Sequence, residues 1–230
     1  VNPLATGDGI TIGLQNHAQV LNGPYASALK MRFVEAPAHW IQKIPPYSWI
    51  AKTITWSLKH LPQRLIRPFV MKFITTVLGP EMTLFKSGAL MVDQTGQRID
   101  TSSERIAFNL VNSPGNKGFI VFDQSCAERL RSWPNFISTA PGIAYAYLGD
   151  YERARKDIFY KSHSLTDLAK QIGVEPETLS KSLEGFIDKS SPSFYAMGAV
   201  RSYVTITEGG LSIDQNFQVL NEHSKPIPGL

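Results

Sequence analysis

The sequence predicts an α+β fold in which short mixed sheets alternate with helices, and three observations carry that expectation. Apolar residues recur at helical spacing within 9–21 and 45–80, short apolar strands bounded by turn residues begin at Ala89, and a second helical pair precedes a strand-rich end. With 230 residues, 43% of them hydrophobic and 18% charged, the chain can bury a sizeable core. General disorder and a fibrous class are not indicated at that composition.

In the first helical segment Ile10, Leu14, His17 and Leu21 share one face of a helix expected over 9–21, with Asp8 as its N-cap. Between Pro45 and Pro80 the residues Trp49, Ile50, Ile54, Trp56, Leu58, Leu61, Leu65, Ile66, Phe69, Val70, Phe73, Ile74 and Leu78 form a helical run that Pro62 and Pro68 are expected to divide. Lysines and arginines interrupt this run too often for a spanning helix. An interfacial or partner-covered helical hairpin, or a helical insertion packed on its own protein, accounts for it.

From Ala89 the segment ALMV, the turn Asp93-Gln94-Thr95-Gly96 and QRI read as a hairpin. The continuous apolar run GFIVF over 118–122 reads as a strand, with a helix following through Ala127 to Arg131. Ser164 to Phe186 contains two helical stretches joined at Gly173 and superficially resembles a DNA-reading helix-turn-helix. Its second helix carries Glu175, Glu177 and Glu184 around Lys181, which is unsuited to a phosphate backbone. A structural helix pair with Leu165, Leu168, Ile172, Leu179 and Leu183 as core face is expected instead, and no nucleic-acid partner. Gly209 to Leu230 reads as strand, turn at Asp214-Gln215-Asn216, strand, and polar turn at 221–224.

Cys126 is the only cysteine, which excludes an intrachain disulfide or a multi-thiolate metal site within these residues. A reducing cytoplasm is the default compartment, and an apolar-flanked lone cysteine reads as a small buried hydrophobe rather than a nucleophile. The histidines His17, His60, His163 and His223 lack metal-ligand spacing, so no metal is expected. The net charge of +4 is uneven, because 36–80 contains no Asp or Glu but holds Lys43, Lys52, Lys59, Arg64, Arg67 and Lys72. That asymmetry points to an anionic neighbour, either a peripheral membrane surface or a subunit.

The two ends carry a resemblance. Ala5-Thr6-Gly7-Asp8-Gly9, then Gly209-Gly210-Leu211-Ser212-Ile213-Asp214, Gln218-Val219-Leu220 and Pro226-Ile227-Pro228-Gly229-Leu230 occur in the order and spacing found in the flavoprotein superfamily of fumarate reductases, succinate dehydrogenases and 3-ketosteroid dehydrogenases. The hairpin ending Gly96-Gln97-Arg98, GFIVFDQS and LAKQIGVEPETLSKSLEGF resemble successive parts of that superfamily's capping domain, so the resemblance covers nearly the whole chain.

The resemblance implies an internal segment of a larger two-domain flavoenzyme: 1–30 as the edge of an FAD-binding domain, 31–207 as the capping, substrate-binding domain, and 208–230 as the return. It implies FAD as cofactor, with an incomplete site because no GxGxxG loop is present, and Thr6, Gly7, Asp8, Gly9, Gly209 and Gly210 as the residues near it. The implied reaction moves a hydride between the flavin and a carbon–carbon bond while a side chain transfers a proton at the adjacent carbon.

Arg105, in TSSERIAF, lies near the place of the superfamily's proton-donating arginine, and equally reads as an exposed helix-start residue beside Glu104. Tyr195 lies where the ketosteroid branch has a tyrosine, and equally reads as a half-buried aromatic at a strand edge. The positions of two dicarboxylate-binding histidines fall near Pro37, with His39 displaced by two, and on Ile206. Their loss favours an apolar, carbonyl-bearing small molecule over fumarate or succinate. A fumarate-type enzyme and a non-catalytic basic module acting on membrane or protein are the alternatives.

Overall fold

The chain divides into two compact units, Val1–Lys30 with Tyr203–Leu230, and Met31–Ser202. The structure, a computed structural model, describes residues 6–23, 26–34, 47–102, 105–140, 144–207 and 209–230. In chain order its first elements are α1 (Asp8–Gln15), β1 (Val20–Leu21), β2 (Ala26–Phe33), α2 (Ser48–His60), α3 (Gln63–Val77), α4 (Met82–Lys86), β3 (Leu90–Asp93), β4 (Arg98–Ile99), α5 (Ile106–Val111) and β5 (Gly118–Asp123). Next come α6 (Gln124–Arg129), β6 (Ser138–Ala140), β7 (Ala144–Ala146), α7 (Leu148–Ala154), β8 (Phe159–Ser162), α8 (Leu165–Ile172), α9 (Pro176–Ser182), β9 (Phe194–Thr207) and β10 (Gly210–Leu211).

The larger unit is built on a sheet of order β2-β9-β5-β3-β4, with β8 also paired to β9. The run GFIVF can be apolar throughout because both faces of the sheet are covered. Ile120 and Phe122 enter one core with Met91, Tyr195 and Met197, while Phe119 and Val121 enter the other with Val92, Phe194 and Ala196. Met71 of α3, Leu84 of α4, Leu110 of α5, Cys126 of α6 and Tyr151 of α7 close the first core. Leu168 and Ile172 of α8 and Leu179 of α9 close the second. The helix pair expected over 164–186 is thus structural: Ser164 caps α8 by accepting the Asp167 amide, and Gly173 ends it.

Three local expectations are corrected. The first helix stops at Gln15, His17 takes a positive φ of 59°, and Leu21 lies in β1 opposite Gly210. Its N-cap is Gly7, so Asp8 stands in the first turn rather than at the cap. Pro62 does separate α2 from α3, but Pro68 lies inside α3 and divides nothing. Pro37, His39, Lys43 and Glu104 lie outside the described residues.

A buried cation ties the larger unit together. Arg155, 1% exposed, donates to the carbonyls of Thr75 (3.0 Å) and Val34 (2.7 Å) and to the Asp157 carboxylate (3.0 Å). One guanidinium therefore satisfies the end of α3, the residue after β2 and the approach to β8, and its own desolvation is offset by that set of charge-assisted bonds. Truncation to Ala leaves two carbonyls and a carboxylate unmatched. Arg155→Ala is expected to lower stability by about 3–5 kcal/mol, read from the shift of the chemical denaturation midpoint.

Candidate functional site

The smaller unit holds the residues that the resemblance assigns to the cofactor. Gly7 adopts φ 77°, a conformation costly for residues with a Cβ, and starts α1 without any side-chain cap. The first amides of α1 therefore lack the usual hydroxyl or carboxylate acceptor at an N-cap. Thr6 and Gly9 are exposed beside it, as is Asp8, and a Cβ added at Gly7 or Gly9 would meet nothing within 4 Å. Gly13, further along α1, lies against Leu211 of β10, where an added Cβ would come within 2.7 Å of that side chain. Close packing of α1 on β10 in this unit is thus set by Gly13.

Gly209 and Gly210 differ in what they permit. A side chain at Gly209 would meet the Asn22 carbonyl oxygen and the Gly23 Cα at 2.9 Å, so this glycine is demanded by the chain's own 22–23 turn. Gly210 pairs with Leu21, and the space where its Cβ would stand is open. The turns beyond are fixed by side chains: the Asp214 carboxylate accepts the amides of Asn216 and Gln218, and the Asn221 carbonyl accepts those of His223 and Lys225.

The two residues expected to act chemically lie in the larger unit, in contrasting surroundings. Arg105 is the N-cap of α5, and its side chain is exposed. Ile106, Ala107 and Leu110 are buried and anchor the helix behind it. Tyr195 is at no edge: β9 is flanked by β5 and β8 there, and the side chain is 0% exposed. Its ring stacks on Phe122 at 5.5 Å, with Phe159 at 6.1 Å, and its hydroxyl donates to Gln124 Oε1 at 2.6 Å. This packing gives Tyr195 no opening toward a substrate and makes it a link between β9 and α6.

Several polar groups were not singled out from the sequence. The Asp150 carboxylate, almost fully buried, accepts from Arg67 (2.9 Å), Arg153 (3.0 Å) and the Tyr147 amide (3.0 Å), which fastens α3 to the start of α7. Tyr151, its neighbour, shares a 2.8 Å hydrogen bond with Ser138, and burial raises its pKa. Trp133, Phe136 and Tyr145 form an aromatic cluster with centroids 5.0 to 6.3 Å apart. The pairing is long-range and carries no local signal in the sequence. Burial pushes the Cys126 thiol up to about 12, so the reactive thiolate is scarce at neutral pH.

No family model matches the chain. Its fold is nonetheless that of a portion of large flavoenzymes. The open conformation of a flavocytochrome c3 fumarate reductase superimposes with a TM-score of 0.55 at 18% identity, over 98% of this chain and 34% of that one. A 3-ketosteroid Δ1-dehydrogenase from Sterolibacterium denitrificans, in complex with 1,4-androstadiene-3,17-dione, gives 0.53 at 18% identity, over 99% of this chain and 40% of that one. The chain thus spans between about a third and two fifths of the length of the structures it matches. At 18% identity these two likenesses concern the fold.

Two outcomes are expected from these surroundings. Tyr195→Phe leaves the Gln124 oxygen unmatched and lowers stability by about 1–2 kcal/mol, read from the chemical denaturation midpoint. Cys126 reacts with iodoacetamide only under denaturing conditions, at neutral pH as well as at pH 9, and mass spectrometry of the alkylated peptide checks it.

Proposed function

We propose that this chain supplies the substrate side and part of the FAD side of an FAD-dependent oxidoreductase, which moves a hydride between the flavin and a carbon–carbon bond next to a carbonyl. The observation that carries this reading is the likeness of 98% and 99% of the chain to two such flavoenzymes. The division into 1–30 with 203–230, and 31–202, supports assigning the first unit to the edge of the FAD-binding domain and the second to the capping domain.

The residues of the smaller unit fit FAD in one respect. The uncapped start of α1 and the open sides of Gly7, Gly9 and Gly210 leave room for a close hydrogen-bonding neighbour. Asp8 in that first turn disfavours a phosphate and favours hydroxyl or amide donors. In this reading Thr6 to Gly9 and Gly210 meet the uncharged part of the cofactor, and Gly209 shapes the loop beside it. FAD, when bound, supplies the hydride acceptor or donor.

Arg105 is the proton-transfer group in this reading. Its exposed guanidinium, carried on the anchored start of α5, can hold an N–H toward the carbon adjacent to the one exchanging hydride. The substrate side favours an apolar, steroid-like ketone. Among the described residues, Arg155, Arg67 and Arg129 spend their donors on Thr75 and Val34, on Asp150, and on the Ser87 carbonyl, respectively. Those three arginines are therefore not available to clamp a dicarboxylate. Of the helices within 45–80, α3 packs on its own protein through Met71 and Ile74, and α2 is assigned to an outward contact of this enzyme.

Four measurements test the reading. The 230-residue chain alone is expected to show no sub-micromolar FAD binding in isothermal titration. The full-length protein should show flavin absorbance, and Arg105→Ala should lower its turnover by ~10²-fold or more with flavin content retained. Turnover with a 3-ketosteroid should exceed that with fumarate or succinate. Efficient fumarate reduction would move the substrate class to dicarboxylates and keep the flavin assignment.

A further inference from the structure

We infer that α2 is a docking surface for an anionic lipid surface, on which the helix lies flat with Trp49 and Trp56 inserted between headgroups. This goes beyond the flavin reading and does not depend on it. Within α2 only Ile50 and Ser57 are half-buried among the residues whose side chains are described. Trp49 is 66% exposed and Trp56 57% exposed, an unusual amount of indole surface to leave in water.

The spacing arranges that surface. Trp49 and Trp56 are seven residues apart, as are Lys52 and Lys59, so each pair forms a stripe along the helix. The two stripes lie about 60° apart round the axis, both turned away from the Ile50 and Ser57 side. The Trp56 ring stacks on His60 at 5.0 Å, which orients one indole. Beyond the helix, Leu61 and Leu65 at the turn into α3 are exposed apolar side chains as well. An amphipathic ring beside a long cationic stem is the combination that settles at the boundary between headgroups and acyl chains.

Charge selects the occupant. The sequence has no carboxylate from 36 to 80, and among the described residues none pairs with Lys52 or Lys59. A second copy of the chain docking here by two-fold symmetry would set lysines against lysines, which disfavours self-association. A lipid surface rich in anionic headgroups matches both the lysine stripe and the indole stripe without needing a shaped groove. No helix among the described residues is long and apolar enough to cross a membrane, so the contact is one of lying on the surface.

Co-sedimentation of the chain with phosphatidylcholine vesicles, and with vesicles containing about 30 mol% phosphatidylglycerol, tests the inference. The chain should pellet with the anionic vesicles, less so as salt rises, with a blue shift of tryptophan emission. Lys52→Glu with Lys59→Glu should lower the partition coefficient by roughly 30-fold. Trp49→Ala with Trp56→Ala should abolish the blue shift and lower recovery at high salt. Circular dichroism melting of both variants identifies loss of fold, and single substitutions at Lys52 and Trp56 then carry the comparison. Equal recovery with neutral and anionic vesicles, recovery with neither, pelleting without lipid, or wild-type binding by folded variants would each overturn it. Flavin absorbance of the full-length protein is indifferent to all of these outcomes, so failure here is distinguishable from failure of the enzyme assignment.

Discussion

Burial of the central sheet on both faces is the constraint on which the larger unit depends. Because β5 is covered above and below, consecutive residues of GFIVF serve different cores, and neither face can accept a polar residue without a partner. That demand recruits helices from distant parts of the chain: α3, α4, α5, α6 and α7 on one face, α8 and α9 on the other. Segments that do not reach the sheet remain largely exposed, and α2 is the clearest example. The charged groups Arg155 and Asp150, drawn in with them, are satisfied by hydrogen bonds.

The smaller unit is organised on another principle. Its described residues include the eight-residue helix α1, a two-residue ladder between β1 and β10, and isolated bridges such as Ile213 with Val219. Backbone and side-chain hydrogen bonds at Asp214 and Asn221 carry much of its definition, while Ile10, Ile12 and Leu14 of α1 remain exposed. Apolar residues left open on a helix are surface that a further layer of a domain can bury. The proposal that this unit is the edge of a larger FAD-binding domain accords with that.

Local signals were legible wherever one element's chemistry decided its form. Asp93 closes the β3–β4 turn by accepting the amides of Thr95 and Gln97, Ser164 and Gly173 bracket α8, and the unbroken apolarity of GFIVF marks a strand covered twice. What escaped was set by distant partners. Leu21 continues the helical spacing of Ile10 and Leu14, yet its strand is fixed by pairing with Gly210 near the other end of the chain. Tyr195 looked like an edge residue because nothing local reveals that β8 and β5 both flank β9. Pro68 was read as a breaker, although a helix packed on a core tolerates one missing amide bond. The candidate site was legible through its terminal motifs rather than through composition: Arg105 and the glycines carry no signal of chemistry outside their resemblance to flavoenzymes.

The single sealed thiol also has a practical consequence. Cys126 is on the buried side of α6 with 1% of its surface exposed, so a cysteine placed on any open position is the only thiol that a dye or spin label meets in the folded chain. No background substitution is needed. A nitroxide at Thr55 of α2, or at Glu177 of α9 as a reference on another face, reports the depth and orientation of the folded chain at an interface directly from its accessibility to paramagnetic quenchers.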